Sequence, residues 1–195
     1  MKKRLFIAVP LSGELQKTLG EYVKDAPNLD YFQGSKIRWT ASENIHLTVC
    51  FFGSVEEKYL EGIKAVINRA LSEVQHFSLT FKELRLAPEK RPRMIWGVFQ
   101  PSPEFNFLVE EVAKSLEKYF RESLGRKIKL MPDREIVPHA TLARFRILTK
   151  PPGVLPPVYL KSKDILVSSC LLFASQTLPT GSVYTQLAEF KLDTE

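Results

Sequence analysis

Two short stretches of this 195-residue chain share one pattern and decide how its fold is organised: residues 44–49 read Asn-Ile-His-Leu-Thr-Val, and residues 137–142 read Val-Pro-His-Ala-Thr-Leu. Each is a His-x-Thr-x unit in which x is apolar, and each is set among residues that favour β-strands. The second unit follows the first by about half the length of the chain. A repeat at this separation indicates two related halves.

The spacing inside each unit has a geometric consequence. Side chains two positions apart on a strand point to the same face, so His46 and Thr48 project together, as do His139 and Thr141. The apolar residues between them face the opposite side, where they can pack against helices. If the two halves meet, two imidazoles and two hydroxyls converge on one groove.

Periodicity elsewhere in the chain favours a mixture of strands and helices. Apolar runs rich in strand formers predict strands at residues 5–9, 37–52, 77–81, 94–99, 140–145, 165–174 and 183–192, with a polar loop at 28–36. Apolar residues at three-and-four spacing predict one helix ending before Pro27, another from about 56 to 74, and a third at 105–120 followed by Gly125. Several strands follow one another through short turns, which is typical of an α+β class rather than a doubly wound sheet.

The composition describes a basic protein with few cysteines. Lys and Arg number 28 against 22 Asp and Glu, for a formal charge of +6 that favours anionic partners: nucleic acid, an acidic membrane surface or phosphorylated metabolites. The two cysteines, Cys50 and Cys170, lie in apolar strand-like runs, which indicates buried free thiols in a reducing compartment. No apolar run reaches the roughly 20 residues of a membrane span, and the first run, which ends at Pro10, is too short for a signal peptide. We therefore expect a cytoplasmic protein with no membrane partner.

The paired units suit in-line displacement at phosphorus. One imidazole takes a proton from the attacking water, and the other donates a proton to the departing ribose oxygen. An ordinary imidazole pKa of about 6.5 keeps both forms available near neutral pH. Threonine hydroxyls can donate hydrogen bonds to the non-bridging oxygens. The sequence has no His-x₃-His pair and no clustered carboxylates, so it predicts neither a metal site nor another cofactor.

The chain resembles the 2H phosphoesterase superfamily, and within it the RNA 2',3'-cyclic phosphodiesterases, also called 2'-5' RNA ligases. The segments that carry the resemblance are Arg4–Pro10, Glu43–Gly53, Arg93–Gly97, Pro138–Arg144, Leu172–Ser175 and Gly181–Leu187. The resemblance implies a bilobal α+β fold, with two antiparallel-sheet lobes related by pseudo-twofold symmetry around a central cleft. It implies one domain over residues 1–195, made of two interleaved lobes, one with the His46 motif and one with the His139 motif.

The same resemblance implies a function. It predicts hydrolysis of 2',3'-cyclic phosphate RNA ends to 2'-phosphates, with reversible, ATP-independent 2'-5' joining as a side activity. His46 and His139 would be catalytic, and Thr48, Thr141 and Arg144 would bind phosphate. Simple alternation puts Arg144 on the face opposite His139, so a β-bulge or the end of the strand must re-aim it. The partner would be RNA with such ends, tRNA fragments among them, and we expect a monomer.

Two other functions are open from the sequence alone. The same chemistry could act on a small cyclic nucleotide or an ADP-ribose cyclic phosphate, and a basic chain could bind RNA without turnover. The basic stretches Lys90–Arg93 and Arg126–Arg134 mildly favour a polynucleotide, because each could follow an RNA backbone. Phe6 and Tyr184 are candidates for stacking on a terminal base, although core packing is the default for such residues. His76 lies outside both motifs and is predicted to be structural or exposed.

Overall fold

A computed structural model describes residues 1–11, 13–133, 135–150, 155–178 and 181–193. Nine strands and three α-helices occur within these ranges. The strands are β1 (Lys2–Pro10), β2 (Ile37–Trp39), β3 (His46–Glu56), β4 (Phe77–Ala87), β5 (Met94–Phe99), β6 (His139–Phe145), β7 (Asp164–Val167), β8 (Ser169–Leu178) and β9 (Gly181–Lys191). The helices are α1 (Gly13–Asp25), α2 (Leu60–Leu71) and α3 (Pro103–Leu124).

The strands form one sheet whose order is β7-β4-β5-β6-β3-β1-β8-β9, with the short β2 paired to β6. All pairings between these named strands are antiparallel. Four strands therefore lie on each side of the contact between β3 and β6. The order confirms the predicted antiparallel α+β fold with two pseudo-symmetric halves.

The two halves repeat one local arrangement. In the first half, β1 is followed by α1 and then by the motif strand β3; in the second, β5 is followed by α3 and then by the motif strand β6. The C-terminal strands β8 and β9 return to the first half, where β8 pairs with β1. The last two strands of the chain therefore lie beside its first strand.

The helices cover one face of the sheet, and the motif residues between each His and Thr point toward it. Leu47 and Ala140 are fully buried and belong to the same hydrophobic core as residues of all three helices. Burying a leucine side chain contributes about 1.5–3 kcal/mol, so this packing fixes which face each motif shows to the helices. The opposite face remains available for the histidines and threonines.

The ends of α3 follow the expected local chemistry. Ser102 caps its N-terminus, where the hydroxyl oxygen accepts a hydrogen bond from the backbone N–H of Phe105 at 3.0 Å. Gly125 ends the helix with φ at 61°, a left-handed conformation that glycine adopts without the steric cost of a Cβ. The predicted role of Gly125 is confirmed.

Several predicted bounds were wrong, and the strand predicted at 77–81 continues to Ala87. The run 165–174 is two strands rather than one, because β7 pairs with β4 in one half of the sheet and β8 with β1 in the other. The run 37–52 is also two strands, separated by a 3-10 turn at Ser42–Asn44, and β3 continues beyond Gly53 to Glu56. The polar loop 28–36 contains a 3-10 turn, Asp30–Phe32, whose last residue is buried because Phe32 packs in the core.

Neither cysteine has a disulfide partner. Cys50 and Cys170 are free and buried, as predicted. Burial raises the pKa of each thiol to about 12, so both are protonated and unreactive near neutral pH. Among the helices within the described ranges, none combines the length and the apolar character needed to span a membrane.

Candidate active site

His46 is the first residue of β3, and its ring is held on three sides. Its Nδ1–H donates a hydrogen bond to the backbone carbonyl oxygen of Asn44 at 2.7 Å. Phe6 stacks on the ring with centroids 5.0 Å apart, and Tyr184 meets it edge-on at 5.4 Å. Because a carbonyl oxygen only accepts hydrogen bonds, the proton of the neutral imidazole lies on Nδ1. Nε2 is therefore the nitrogen available for chemistry, and it lies 3.2 Å from the Thr48 hydroxyl.

His139 is the first residue of β6 and repeats this arrangement. Its Nδ1–H donates to the backbone carbonyl oxygen of Val137, again at 2.7 Å. Trp96 stacks on the imidazole with centroids 3.8 Å apart and planes 25° apart. Both motif histidines thus use the carbonyl two residues earlier to fix the same tautomer. Each presents Nε2 as its reactive nitrogen.

The contact between β3 and β6 brings the two motifs together. Leu47 pairs with Ala140 in antiparallel register. Continuing this register by one residue in each direction places Thr48 opposite His139 and Thr141 opposite His46. Thr48 therefore lies beside its own motif histidine, to which it is hydrogen-bonded, while its register position is opposite the other motif's histidine.

A cleft of about 390 Å³ opens over this contact. Its lining includes Thr48, Trp96, His139, Thr141 and Arg144. His46 does not line this cleft, but its Nε2 is hydrogen-bonded to the hydroxyl of Thr48, which does. Of the predicted set, one imidazole, two hydroxyls and one guanidinium therefore line the opening, and the second imidazole lies one hydrogen bond away.

Arg144 reaches this cleft because β6 contains the bulge that its position requires. In the pairing of β5 with β6, Ile95 lies opposite Ala143 but Trp96 lies opposite Thr141, so Leu142 is an extra residue. One extra residue reverses the alternation of side chains that follow it. Arg144 consequently points to the same side as His139 and lines the cleft, and its Nη1 donates a hydrogen bond to the Met94 sulfur at 2.9 Å.

Phe51 is a cleft residue that the sequence reasoning missed. Its side chain is 60% exposed, lines the cleft and lies 5.3 Å from the ring of Phe6. A large aromatic side chain that is exposed beside a cleft offers a surface for a planar ligand. The apolar run around Phe51 concealed it, since alternation alone does not show where the β3 side chains change face.

The surroundings of His46 lower its pKa below the ordinary imidazole value. Burial is the main cause, because it disfavours the charged form, and the positive charges of Arg144 and His139 act in the same direction. The hydrogen bond to the Asn44 carbonyl opposes the shift. His46 is therefore neutral at neutral pH in the free protein, with Nε2 able to accept a proton.

The two predicted stacking residues differ in exposure. Phe6 is only 1% exposed and stacks on Phe173 as well as on His46, so its role is core packing behind the histidine. Tyr184 is half-buried and contacts His46 by its edge. Phe6 therefore cannot receive a base, and Phe51 is the accessible ring of this cluster.

The two basic stretches also differ. Residues 90–93 form the exposed turn between β4 and β5. In the second stretch, Arg126 donates to the backbone carbonyl oxygen of Ser54 and lies over the ring of Phe120, while Lys129 is paired with Asp133. Arg134, at its end, lies outside the described residues. His76, in contrast, is exposed and distant in sequence from both motifs.

Metal-ligand side chains do not assemble within the described ranges: no group of three or more His, Cys, Asp or Glu residues there could hold a metal ion. The groups around the cleft are instead imidazoles, hydroxyls and a guanidinium. These groups can exchange protons and donate hydrogen bonds to an anion without a metal.

Comparison with known proteins finds similarity to one family. A model described as "LigT like Phosphoesterase" matches residues 9–96, which include the first motif. Two curated relatives named RNA 2',3'-cyclic phosphodiesterase extend the similarity through the second motif. The one from Methanothermobacter thermautotrophicus is 28% identical over 98% of this chain and 100% of its own length. The one from Thermotoga maritima is 24% identical over 97% of this chain and 96% of its own.

Solved structures extend the similarity to the fold. The crystal structure of TT0787 from Thermus thermophilus superposes with a TM-score of 0.78 at 27% identity, covering 98% of this chain and 99% of that one. Escherichia coli LigT in its apo form has the same fold, with a TM-score of 0.76 at 22% identity over 100% of this chain and 99% of its own. In the sequence of its first half, in its fold and along the full length of its relatives, the chain is similar to the LigT-like phosphoesterases.

Proposed function

We propose that this protein hydrolyses 2',3'-cyclic phosphate ends of RNA to 2'-phosphates without a metal ion. The observation that carries the proposal is that both motif histidines bond through Nδ1 to the backbone carbonyl two residues earlier, at the contact between β3 and β6. The names of the full-length relatives, RNA 2',3'-cyclic phosphodiesterase, support this substrate. Arg144 adds a fixed positive charge where a phosphate would lie.

The reaction follows from these groups. Water attacks phosphorus and gives a proton to one Nε2, while the bond from phosphorus to the 3' oxygen breaks. The other imidazole, in its protonated form, gives a proton to that oxygen, so the product is a 2'-phosphate and a free 3' hydroxyl. Thr48, Thr141 and Arg144 donate hydrogen bonds to the non-bridging oxygens, whose negative charge grows in the transition state.

We also propose a substrate, a cellular compartment and an oligomeric state for this activity. The substrates would be RNA fragments with cyclic phosphate ends, tRNA fragments among them, and the buried free thiols are compatible with a reducing cytoplasm. One chain supplies both histidines to one cleft, so a monomer would suffice. The two halves of the sheet would work as interleaved lobes of one domain, since strands of both halves form the cleft.

The test uses an RNA oligomer that ends in a 2',3'-cyclic phosphate, incubated with excess EDTA. The wild-type protein should yield a 2'-phosphate, identified by mass and by nuclease mapping. Loss of one acid–base group should lower kcat about 10²–10⁴-fold in His46→Ala and in His139→Ala. His76→Ala is the matched control, since it removes the third histidine of the chain, and it should keep full activity.

The outcomes separate the alternatives. Activity that EDTA abolishes, or that survives both motif substitutions, would contradict the mechanism. RNA binding with no turnover by the wild-type protein would indicate a binding module. Turnover of a cyclic mononucleotide or an ADP-ribose cyclic phosphate, with none of RNA ends, would assign the same chemistry to a small substrate.

A further inference from the structure

Two arginines face each other across neighbouring strands. The antiparallel pairing of β2 with β6 sets Arg38 directly opposite Arg144, and both side chains are exposed. Like charges at directly opposite positions destabilise a sheet, unless an anion or a carboxylate lies between them. Of the ion pairs in the described ranges, none includes either arginine. The Met94 sulfur that accepts from Arg144 is neutral and does not offset the charge.

A second cavity, of about 160 Å³, lies at this pair. Arg38 and Arg144 line it together with the hydroxyl-bearing side chains of Thr40, Ser182 and Tyr184. No acidic residue contributes to its described lining. The Thr40 hydroxyl already donates to the backbone carbonyl oxygen of Thr141. The two guanidinium groups and the hydroxyls of Ser182 and Tyr184 remain as donors, and donors of this kind around one small cavity suit the oxygens of a phosphate group.

This cavity adjoins the catalytic cleft. Arg144 lines both of them. Asn44, whose carbonyl oxygen orients His46, and Tyr184, whose ring edge meets that imidazole, also line the second cavity. An RNA end that occupies both cavities would place its cyclic phosphate and the preceding phosphodiester on either side of Arg144.

We propose that Arg38, with Arg144, binds the phosphodiester on the 5' side of the terminal nucleoside while the cyclic phosphate lies over the two motifs. This inference rests on the proposed function, and it assigns a preference for RNA chains over cyclic mononucleotides, which lack that phosphodiester. Arg38 is a binding residue for the substrate rather than a catalytic one.

The cavity on the other side of the cleft is less suited to a phosphate. It measures about 220 Å³ and lies beside Trp96 and His139, and its charged lining consists of Arg85, Glu89 and Glu135. Two carboxylates and one guanidinium repel a phosphodiester, whereas the cavity at Arg38 has two guanidiniums and no carboxylate in its described lining. The RNA strand is therefore expected to leave the site toward β2 and not toward the β4–β5 turn.

The experiment compares two substrates that differ by one phosphodiester: adenosine 2',3'-cyclic monophosphate, and a diadenylate that ends in a 2',3'-cyclic phosphate. Arg38→Gln should raise KM for the dinucleotide about 10–100-fold, as for a lost hydrogen bond to a charged group, with kcat within about twofold of the wild type. KM for the mononucleotide should be nearly unchanged. Arg38→Lys should recover part of the affinity, because it keeps the charge.

Two arginine variants provide matched controls. Arg85→Gln alters the cavity on the opposite side, and Arg69→Gln alters an exposed residue of α2. Both should leave the ratio of the two KM values unchanged. For longer RNA, Arg38→Gln should reduce the slope of log KM against log salt by about 0.7, the value for one phosphate contact on a single strand.

Three results would overturn the assignment: an equal loss on both substrates, no loss on either, or a length-dependent loss in Arg85→Gln instead. Wild-type turnover of the mononucleotide reports on the proposed function independently. If the wild type hydrolyses neither substrate, fluorescence anisotropy with a labelled trinucleotide still tests the site. Weaker binding by Arg38→Gln than by Arg85→Gln would support the site, and equal binding would refute it.

Discussion

Phe51 and Arg144 occupy equivalent positions in the two halves of the site. Each is the fifth residue after its motif histidine, and each follows a bulge, at Val49 in β3 and at Leu142 in β6. Both side chains line the same cleft. The pseudo-twofold axis therefore relates an aromatic ring to a guanidinium, so the cleft has one apolar wall and one cationic wall. A nucleotide, which has a planar base and an anionic phosphate, matches that division.

The aromatic wall predicts a role for Phe51 in binding. Phe51→Ala should raise KM for a cyclic-phosphate substrate about tenfold or more, since stacking of one base on an aromatic ring contributes about 1–3 kcal/mol. The value of kcat should change much less, because the ring does not reach the reacting groups. Steady-state kinetics would check this, with Phe107→Ala, at an exposed phenylalanine of α3, as the control. A fall in kcat at constant KM would contradict it.

The positive charge of Arg144 on the cationic wall predicts a measurable change in the pKa of His46. Arg144→Gln should raise the pKa of His46, because the guanidinium charge is one of the causes that lower it. NMR titration of the imidazole resonances would measure the change. Arg146→Gln, which alters a nearby arginine on the same segment, serves as the control. An unchanged His46 pKa in Arg144→Gln would mean that the two groups do not interact.

The lowered pKa of His46 also predicts how stability depends on pH. The unfolded chain binds a proton at this residue at a higher pH than the folded chain does, so folding stability should fall as pH decreases below about 6.5. The stability that the neutral imidazole of His46 contributes is fully present above that pH. Urea midpoints measured on either side of it should show a larger acid loss in the wild type than in His46→Gln. Equal losses would contradict the shift.

The threonine hydroxyls are expected to act mainly in the transition state. Thr48→Val and Thr141→Val keep the branched shape and should lower kcat about 10–100-fold with little change in KM, because a donor to the growing charge is lost. Thr80→Val, on β4 away from the cleft, is the control. Normal kcat values in both motif variants would show that the reaction does not need these hydroxyls as donors to the phosphate oxygens. That result would refute the assignment.

The contact between the two halves predicts a stability effect. Leu47 is fully buried and pairs with Ala140, so Leu47→Ala should lower the free energy of unfolding by about 2–5 kcal/mol. Denaturant unfolding would measure it. Leu166→Ala, at a leucine that is 59% exposed, should cost far less. Similar losses in the two variants would indicate that the core does not form around β3 as described.

The two motifs could be predicted from the sequence, but the residues that line the two sides of the cleft could not all be predicted. Period-two spacing predicted that each histidine and its threonine share a face, and the same rule showed that either a bulge or the strand end must turn Arg144 toward that face. The position of Phe51 could not be predicted in this way, because its bulge lies inside an uninterrupted apolar run. Comparing the two repeats position by position would have exposed it.

The pairing of strands that are distant in the sequence was the other feature that could not be predicted. Residues 165–174 form one apolar run in the sequence, yet its parts belong to opposite halves of the sheet. Local propensity describes each strand but not its neighbour, so the interruption at Ser168 carries no local signal. The same holds for Arg38, whose relation to Arg144 depends on a three-residue strand pairing across more than half the chain.

The backbone carbonyls of Asn44 and Val137 orient the two imidazoles in the same way. Each ring is held in the same tautomer, and each can lose or gain a proton at Nε2 without turning. A site with this property has no built-in direction, and the energy of its substrates sets which way the reaction runs. If the 5' hydroxyl of a second RNA end took the place of water as the nucleophile, the strain of the cyclic phosphate would supply the driving force to join the two ends without a nucleoside triphosphate.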